Sequence, residues 1–177
     1  MSNSMNGWLG SILNLEPVSR IRRNHGLEHA TLHVLAERFP RTSMAGHSDT
    51  GGFWILGDIP RDAVESSVAT ALDRLRKGEA ELAVHPNCGT NFVTSGTFAG
   101  IAASMAMFGA GKRMRDKLER VPLAASLATL ALIAAQPLGL YFQEQFTTSG
   151  IPGELEITEI NHAPRRNINA YRITTRG

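Results

Sequence analysis

The sequence predicts an α+β fold, a small domain of helices and short β-hairpins joined to a two-helix hairpin. Three observations point there. Two stretches of helical period, from Arg22 to about Phe39 and from Pro60 to Gly78, flank the β-prone run "FWIL" set among glycines. No Asp, Glu, Lys or Arg occurs from Leu82 to Gly111 or from Val121 to Gln143. A polar tail of alternating character then closes the chain. The expected organisation is an N-terminal amphipathic segment over 1–21, an α+β domain over 22–91, a helical hairpin over 92–143 and a C-terminal β-hairpin over 154–177 that packs on the domain.

Composition narrows the classes. The 177 residues are 42% hydrophobic and 19% charged, which suits a packed core rather than disorder. The formal net charge is only +2, and the basic residues are scattered apart from Arg20, Arg22, Arg23 and one connector. A nucleic-acid binder concentrates them on one face, so no nucleic-acid partner is expected. Cys88 is the single cysteine, which excludes an intrachain disulfide.

The opening "MSNSMNGWLGSILNLEP" lacks a basic signal region. Trp8, Leu9, Ile12 and Leu13 make a short apolar stripe that fits a helix lying on a surface. The first long helix stops at Pro40. "SMAGHSDTGGFWILGDIP" reads as a hairpin. Its His47 and Asp49 fall in glycine-rich turn chemistry that fits a solvated turn. In "PRDAVESSVATALDRLRKGE", Ala63, Val64, Val68, Ala71, Leu72 and Leu75 share one face, Pro60 marks the start and Gly78 the end. "AELAVHPNCGTN" reads as a short strand running into a tight turn.

Each charge-free stretch can hold a helix of roughly 20 residues, the length that spans a bilayer core. Small residues recur every fourth position, at Gly96 and Gly100, Ala99 and Ala103, and Ala131, Ala135 and Gly139, a spacing that lets membrane helices approach closely. Pro137 should kink the second helix. The expectation is a transmembrane hairpin, a lipid bilayer as partner, and a multi-pass protein of the cell membrane. The connector "KRMRDKLER" carries five basic and two acidic residues, which favours the cytoplasm and puts both termini outside. No export signal precedes the first segment, so the two observations oppose each other and the orientation stays open. The tail "ELEITEINHAPRRNINAYRITTRG" reads as a β-hairpin turning around "HAPRRN", with His162 in the turn.

The chemistry concentrates in "HGLEHATLH", residues 25–33, which holds three of the six histidines. On a helical wheel at about 100° per residue, with His25 at zero, Glu28 falls near 300°, His29 near 40° and His33 near 80°. All four share one arc. His25 and His29 are an i, i+4 pair, so their imidazoles can converge on one ion. Leu27, Ala30 and Val34 lie opposite, and Leu32 and Ala36 fall within the arc. A helix apolar on both sides is largely buried, where unpaired histidines are costly and a shared metal would satisfy them. The competing reading is a hydrogen-bonded or solvated histidine face. His25-x-x-Glu28-His29 is also the inverted zincin pattern, in which the glutamate serves as general base. Far along the chain, "HPNCGTN" puts His85 and Cys88 three apart in a turn, a donor pair suited to Zn²⁺.

"HGLEHAT" followed by "HPNCGTNF" before the apolar hairpin resembles the YqhQ-like family, uncharacterised bacterial membrane proteins regarded as metal-dependent enzymes. The resemblance covers roughly residues 22–140 and implies functional roles for His25, Gly26, Glu28, His29, His85, Pro86, Cys88, Gly89 and Thr90. His33 has no counterpart in that pattern. The expectation is one Zn²⁺ per chain held by His25 and His29 with His85, Cys88 or both. With three ligands an open position remains, and Glu28 serves as base in hydrolysis of a peptide or other amide. With four the site is closed and structural, in a non-catalytic membrane protein or subunit of a membrane complex. If Glu28 is itself a ligand, iron or manganese fits better.

Overall fold

A computed structural model of the chain describes residues 7–163 and 169–177. Most of the expected turn "HAPRRN" and the first six residues of the amphipathic segment lie outside the described residues. The chain forms two compact units. One comprises Met1–His85 with Glu144–Gly177, and the other, Pro86–Gln143, is inserted into it.

The first unit begins with a short helix α1 (Trp8–Leu13) and the long α2 (Val18–Arg38). A hairpin follows, β1 (Ala45–Asp49) and β2 (Gly52–Leu56), then α3 (Arg61–Arg76). After the insertion the chain returns as β3 (Glu156–His162) and β4 (Ala170–Arg176). The four strands form one antiparallel sheet in the order β1-β2-β4-β3. The central pair is therefore made by segments from opposite ends of the unit, with Phe53 opposite Ile173 and Ile55 opposite Tyr171.

Strand alternation sets the core. Phe53 and Ile55 of β2 and Tyr171 and Ile173 of β4 point to one face and are buried. Leu27, Ala30, Val34 and Leu35 of α2 and Val64, Val68, Ala71 and Leu72 of α3 join them in one cluster. Burying each large side chain contributes roughly 1.5–3 kcal/mol. Asp62 in the first turn of α3 and Arg74 and Arg76 in its last complement the helix dipole. Gly78 ends it at a positive φ of 97°.

A buried polar link ties helix to sheet. Asn24, fully buried, donates from Nδ2 to the Asp49 carbonyl at 2.8 Å and accepts at Oδ1 from the Thr175 hydroxyl at 2.7 Å. Asp49 closes the β1–β2 turn by accepting from the Gly51 N–H, and takes Arg172 at both carboxylate oxygens, 2.7 and 2.8 Å. His47 pairs with Trp54 across the hairpin and is exposed. Both residues therefore belong to β1 rather than to a loop.

Two further readings need correction. "AELAV" is not a strand. Ala80–Ala83 is a 3₁₀ turn, with Leu82 N–H donating to Glu79 and Val84 N–H to Glu81. A short apolar run carries no period to separate the two, and among the described residues no strand pairs with it. His162 is not in the turn but ends β3, opposite Tyr171 and stacked on it at 4.9 Å between ring centroids.

The inserted unit is helical. α4 (Gly89–Met107) and α5 (Met114–Ala134) make the expected hairpin, and α6 (Gln136–Phe142) follows. Pro137 lacks the N–H that would continue α5, and the chain restarts at a 43° bend. Among the described residues no single helix is long and apolar enough to cross a membrane, and only α5 together with Gln136–Thr147, as a bent pair, has the length and composition. α4 is diluted by Gly, Ser and Thr, and the first turns of α5 carry the charged connector. The expected small-residue seam is met at Gly139 and not at Gly96 or Gly100. A Cβ on Gly96 or Gly100 would meet open space, whereas one on Gly139 would run into Asn91. The close approach is between α4 and α6.

Candidate metal centre

α2 presents His25, Glu28, His29 and His33 over two turns, and the local sequence explains how each ring is held. His25 Nδ1 donates to the Thr147 carbonyl at 2.9 Å, and His29 Nδ1 donates to the Ala83 carbonyl at 2.8 Å. A carbonyl can only accept, so each Nδ1 carries a proton, and in the neutral ring Nε2 is left as the lone-pair nitrogen. This is the arrangement that orients metal-binding histidines elsewhere. The two rings lie 4.4 Å apart between centroids, and each offers a ligand nitrogen within 4.8 Å of the other. Two imidazoles on one tetrahedral ion need about 3.4 Å between nitrogens, from metal–nitrogen bonds of about 2.1 Å. Small ring rotations close that gap.

His33 is held the other way round. Its Nε2 donates to the Val84 carbonyl at 2.9 Å, so its outward nitrogen is spent on the backbone. His85, next in the chain, lies 4.9 Å from the His33 ring and 5.7 Å from the His29 ring. Burial, with a smaller contribution from His33, holds the His85 imidazole below the usual histidine range. It is therefore neutral near pH 7, the form that binds metals.

The glycine of "HGLEH" has a steric reason. A Cβ on Gly26 would run into the Ser149 carbonyl and press on the Ala83 side chain. Without it, the returning chain lies against α2, and Ser149 N–H donates to the Arg22 carbonyl at 2.9 Å. That contact sets Thr147 over His25. A π-type turn at Gln143–Thr147 frees the carbonyls used here, with Arg22 taking that of Gln145 at 3.0 Å. Glu28 is buried, 4% exposed, with its carboxylate packed against the backbone of Gly46 in β1.

The first unit thus brings the rings of His25, His29, His33 and His85 together, while the carboxylate of Glu28 lies against Gly46 of β1. Cys88 lies in the second unit as the N-cap of α4, three residues after His85. Sequence reasoning missed the carbonyl acceptors at Ala83, Val84 and Thr147, since any residue supplies a carbonyl. It also missed Gly46, although a glycine inside a strand is a recognised sign of close approach.

These features define a protein of α+β class whose longest helix in the first unit carries a pre-oriented histidine pair. The chain belongs to a family described as a domain of unknown function, DUF6391, whose model matches residues 20–160. It is 38% identical over 150 residues to an uncharacterised protein of Picosynechococcus sp. (strain ATCC 27264 / PCC 7002 / PR-6), covering 79% of this chain and 71% of that one. No solved structure matches.

Proposed function

We propose that this protein is a membrane-associated, metal-dependent hydrolase in which His25, His29 and Cys88 bind one zinc ion and Glu28 is the general base. The observation that carries the reading is the pair of Nδ1–H···carbonyl bonds, from His25 to Thr147 and from His29 to Ala83, which aim two Nε2 lone pairs outward from one helix face. Cys88 is the third ligand because connectivity favours it. Three residues of chain span at most about 11 Å from His85, and a thiolate beside two imidazoles is a zinc donor set. Bound zinc would lower the pKa of a water and polarise a carbonyl. Glu28, buried and adjacent in sequence to His29, takes the proton of the attacking water. The substrate class is a peptide or other amide. The motif likeness to the YqhQ-like family supports a metal and adds nothing about the reaction.

The nearness of His85 to His29 favours a second reading, in which His85 is a fourth ligand and the zinc is structural. Metal analysis and one substitution separate these. Purified protein should hold about one zinc per chain, and Glu28→Gln should keep it while abolishing cleavage of a mixed peptide library followed by mass spectrometry. Zinc retained by a wild-type chain that cleaves no peptide favours the closed site. Protein that folds and takes up no zinc overturns both readings.

Membrane association rests on the inserted unit. Phe92, Val93, Ile101, Met105 and Phe108 on or just after α4, and Leu118, Leu130 and Ile133 on α5, are large apolar side chains left exposed. The chain should co-float with phosphatidylcholine vesicles through alkaline washing; recovery in the soluble fraction would remove the bilayer as a partner.

A further inference from the structure

The turn over 108–113 joins α4 to α5, and with the first turns of α5 it gathers charge and apolar surface at one end of the helical hairpin. We infer that this tip binds the headgroups of a negatively charged phospholipid surface. The inference rests on the membrane reading above and names the lipid class, which that reading leaves open.

Charge is the first observation. Within Pro86–Gln143 every charged side chain lies in 112–120. There Lys112, Arg113, Arg115, Lys117 and Arg120 stand against only Asp116 and Glu119, in a chain whose formal net charge is +2. Both acids have local partners. Asp116 accepts from the Arg113 backbone N–H at 3.3 Å, and Glu119 accepts from the Arg115 guanidinium at 2.9 Å. Arg120 donates to the Ala106 carbonyl at 3.2 Å, which ties α5 to the end of α4. Lys112, Arg113 and Lys117 are exposed, and their side chains form no ion pair among the described residues. The fold gains nothing from bases at this position. Cations at the start of a helix oppose its dipole, so the placement favours an anion from outside the chain.

Apolar exposure is the second observation. Phe108 is 87% exposed, more than any other large apolar side chain among the described residues. Met105, Met114 and Leu118 flank it and are each more than half exposed. Bases and large apolar groups therefore alternate along the tip. An acidic protein or a polynucleotide would answer the bases and leave the apolar groups in water. A phospholipid surface takes both: Phe108 and its neighbours enter the acyl boundary while the ammonium and guanidinium groups meet phosphates.

The test uses full-length protein reconstituted into phosphatidylcholine vesicles that carry a trace of spin-labelled phosphatidylglycerol or spin-labelled phosphatidylcholine. The motionally restricted fraction in each spectrum measures association with the protein. The charged lipid should associate about three- to fivefold more strongly at low salt, and the ratio should fall toward one in about 1 M salt. Lys112→Gln combined with Lys117→Gln should bring the low-salt ratio below about 1.5 and leave the unfolding midpoint unchanged, because neither side chain has an ion-pair partner. Lys112→Arg with Lys117→Arg should retain the preference. Equal association of the two lipids, or a preference that the glutamine pair leaves unaltered, would overturn the inference and leave the membrane reading standing. A protein that restricts neither lipid removes both.

Discussion

Gly26→Ala tests how the returning chain is seated on α2. The new methyl would overlap the Ser149 carbonyl, which is backbone and cannot rotate away. Segment 147–150 must lift, losing the Ser149–Arg22 bond and drawing Thr147 from His25. Two hydrogen bonds at about 1 kcal/mol each, plus about 2 kcal/mol of overpacking, oppose about 1 kcal/mol gained from the better helix former. The net is about 3 kcal/mol of destabilisation, or a fall of roughly 6–12 °C in Tm for a chain of this size. The same change should weaken zinc binding roughly 10- to 100-fold, because His25 loses the acceptor that orients it. Thermal unfolding and zinc competition with a chromophoric chelator measure the two effects. Gly100→Ala, where the methyl meets open space, is the control and should stabilise by up to about 1 kcal/mol. A Gly26→Ala protein that gains stability like the control and keeps its zinc affinity would refute the reasoning.

Cys88→Ser should lower the zinc content of purified protein well below one per chain; unchanged stoichiometry would return the thiol to a packing role. The Arg172 guanidinium, with help from the Gly51 N–H and against the opposing effect of burial, holds the Asp49 carboxyl below the usual carboxylate range. Its folded pKa lies below the unfolded value of about 3.9, so its stabilisation is complete above that value and is lost as pH falls through the folded pKa. With a side chain 44% exposed, the screened contribution is about 1 kcal/mol. Asp49→Asn should therefore be less stable than the parent at pH 6 by about that amount, with the gap closing below pH 3 in urea titrations. An equal gap at both pH values would show that charge plays no part.

Much of this arrangement was legible in the sequence, for reasons particular residues make plain. The face of Ala63, Val64, Val68, Ala71, Leu72 and Leu75 follows a helical period, and all six are buried. "FWIL" among glycines gave β2, because tight turns and β-branched or aromatic residues together leave few alternatives. The arc of His25, Glu28 and His29 follows from helix geometry alone. What holds the rings does not, because backbone carbonyls have no sequence signature and Thr147 is distant from His25 in the chain. "ELAV" misled because its apolar residues serve a 3₁₀ turn as well as a strand. The spacing of Gly96 and Gly100 matched a packing motif, but that motif does not say which neighbour a helix face meets.

The carbonyls that hold the histidines come from both flanks of the insertion. Ala83 and Val84 precede its first residue, and Thr147 follows its last. His25 and His29 are one turn apart, about 6 Å along α2, so the chain departs and re-enters over a single turn of one helix. The first unit therefore has a natural splice point. A linker of a few residues could replace 86–143 without stretching the frame, and the tautomers of His25 and His29 would then report whether both junctions still sit where the insertion left them.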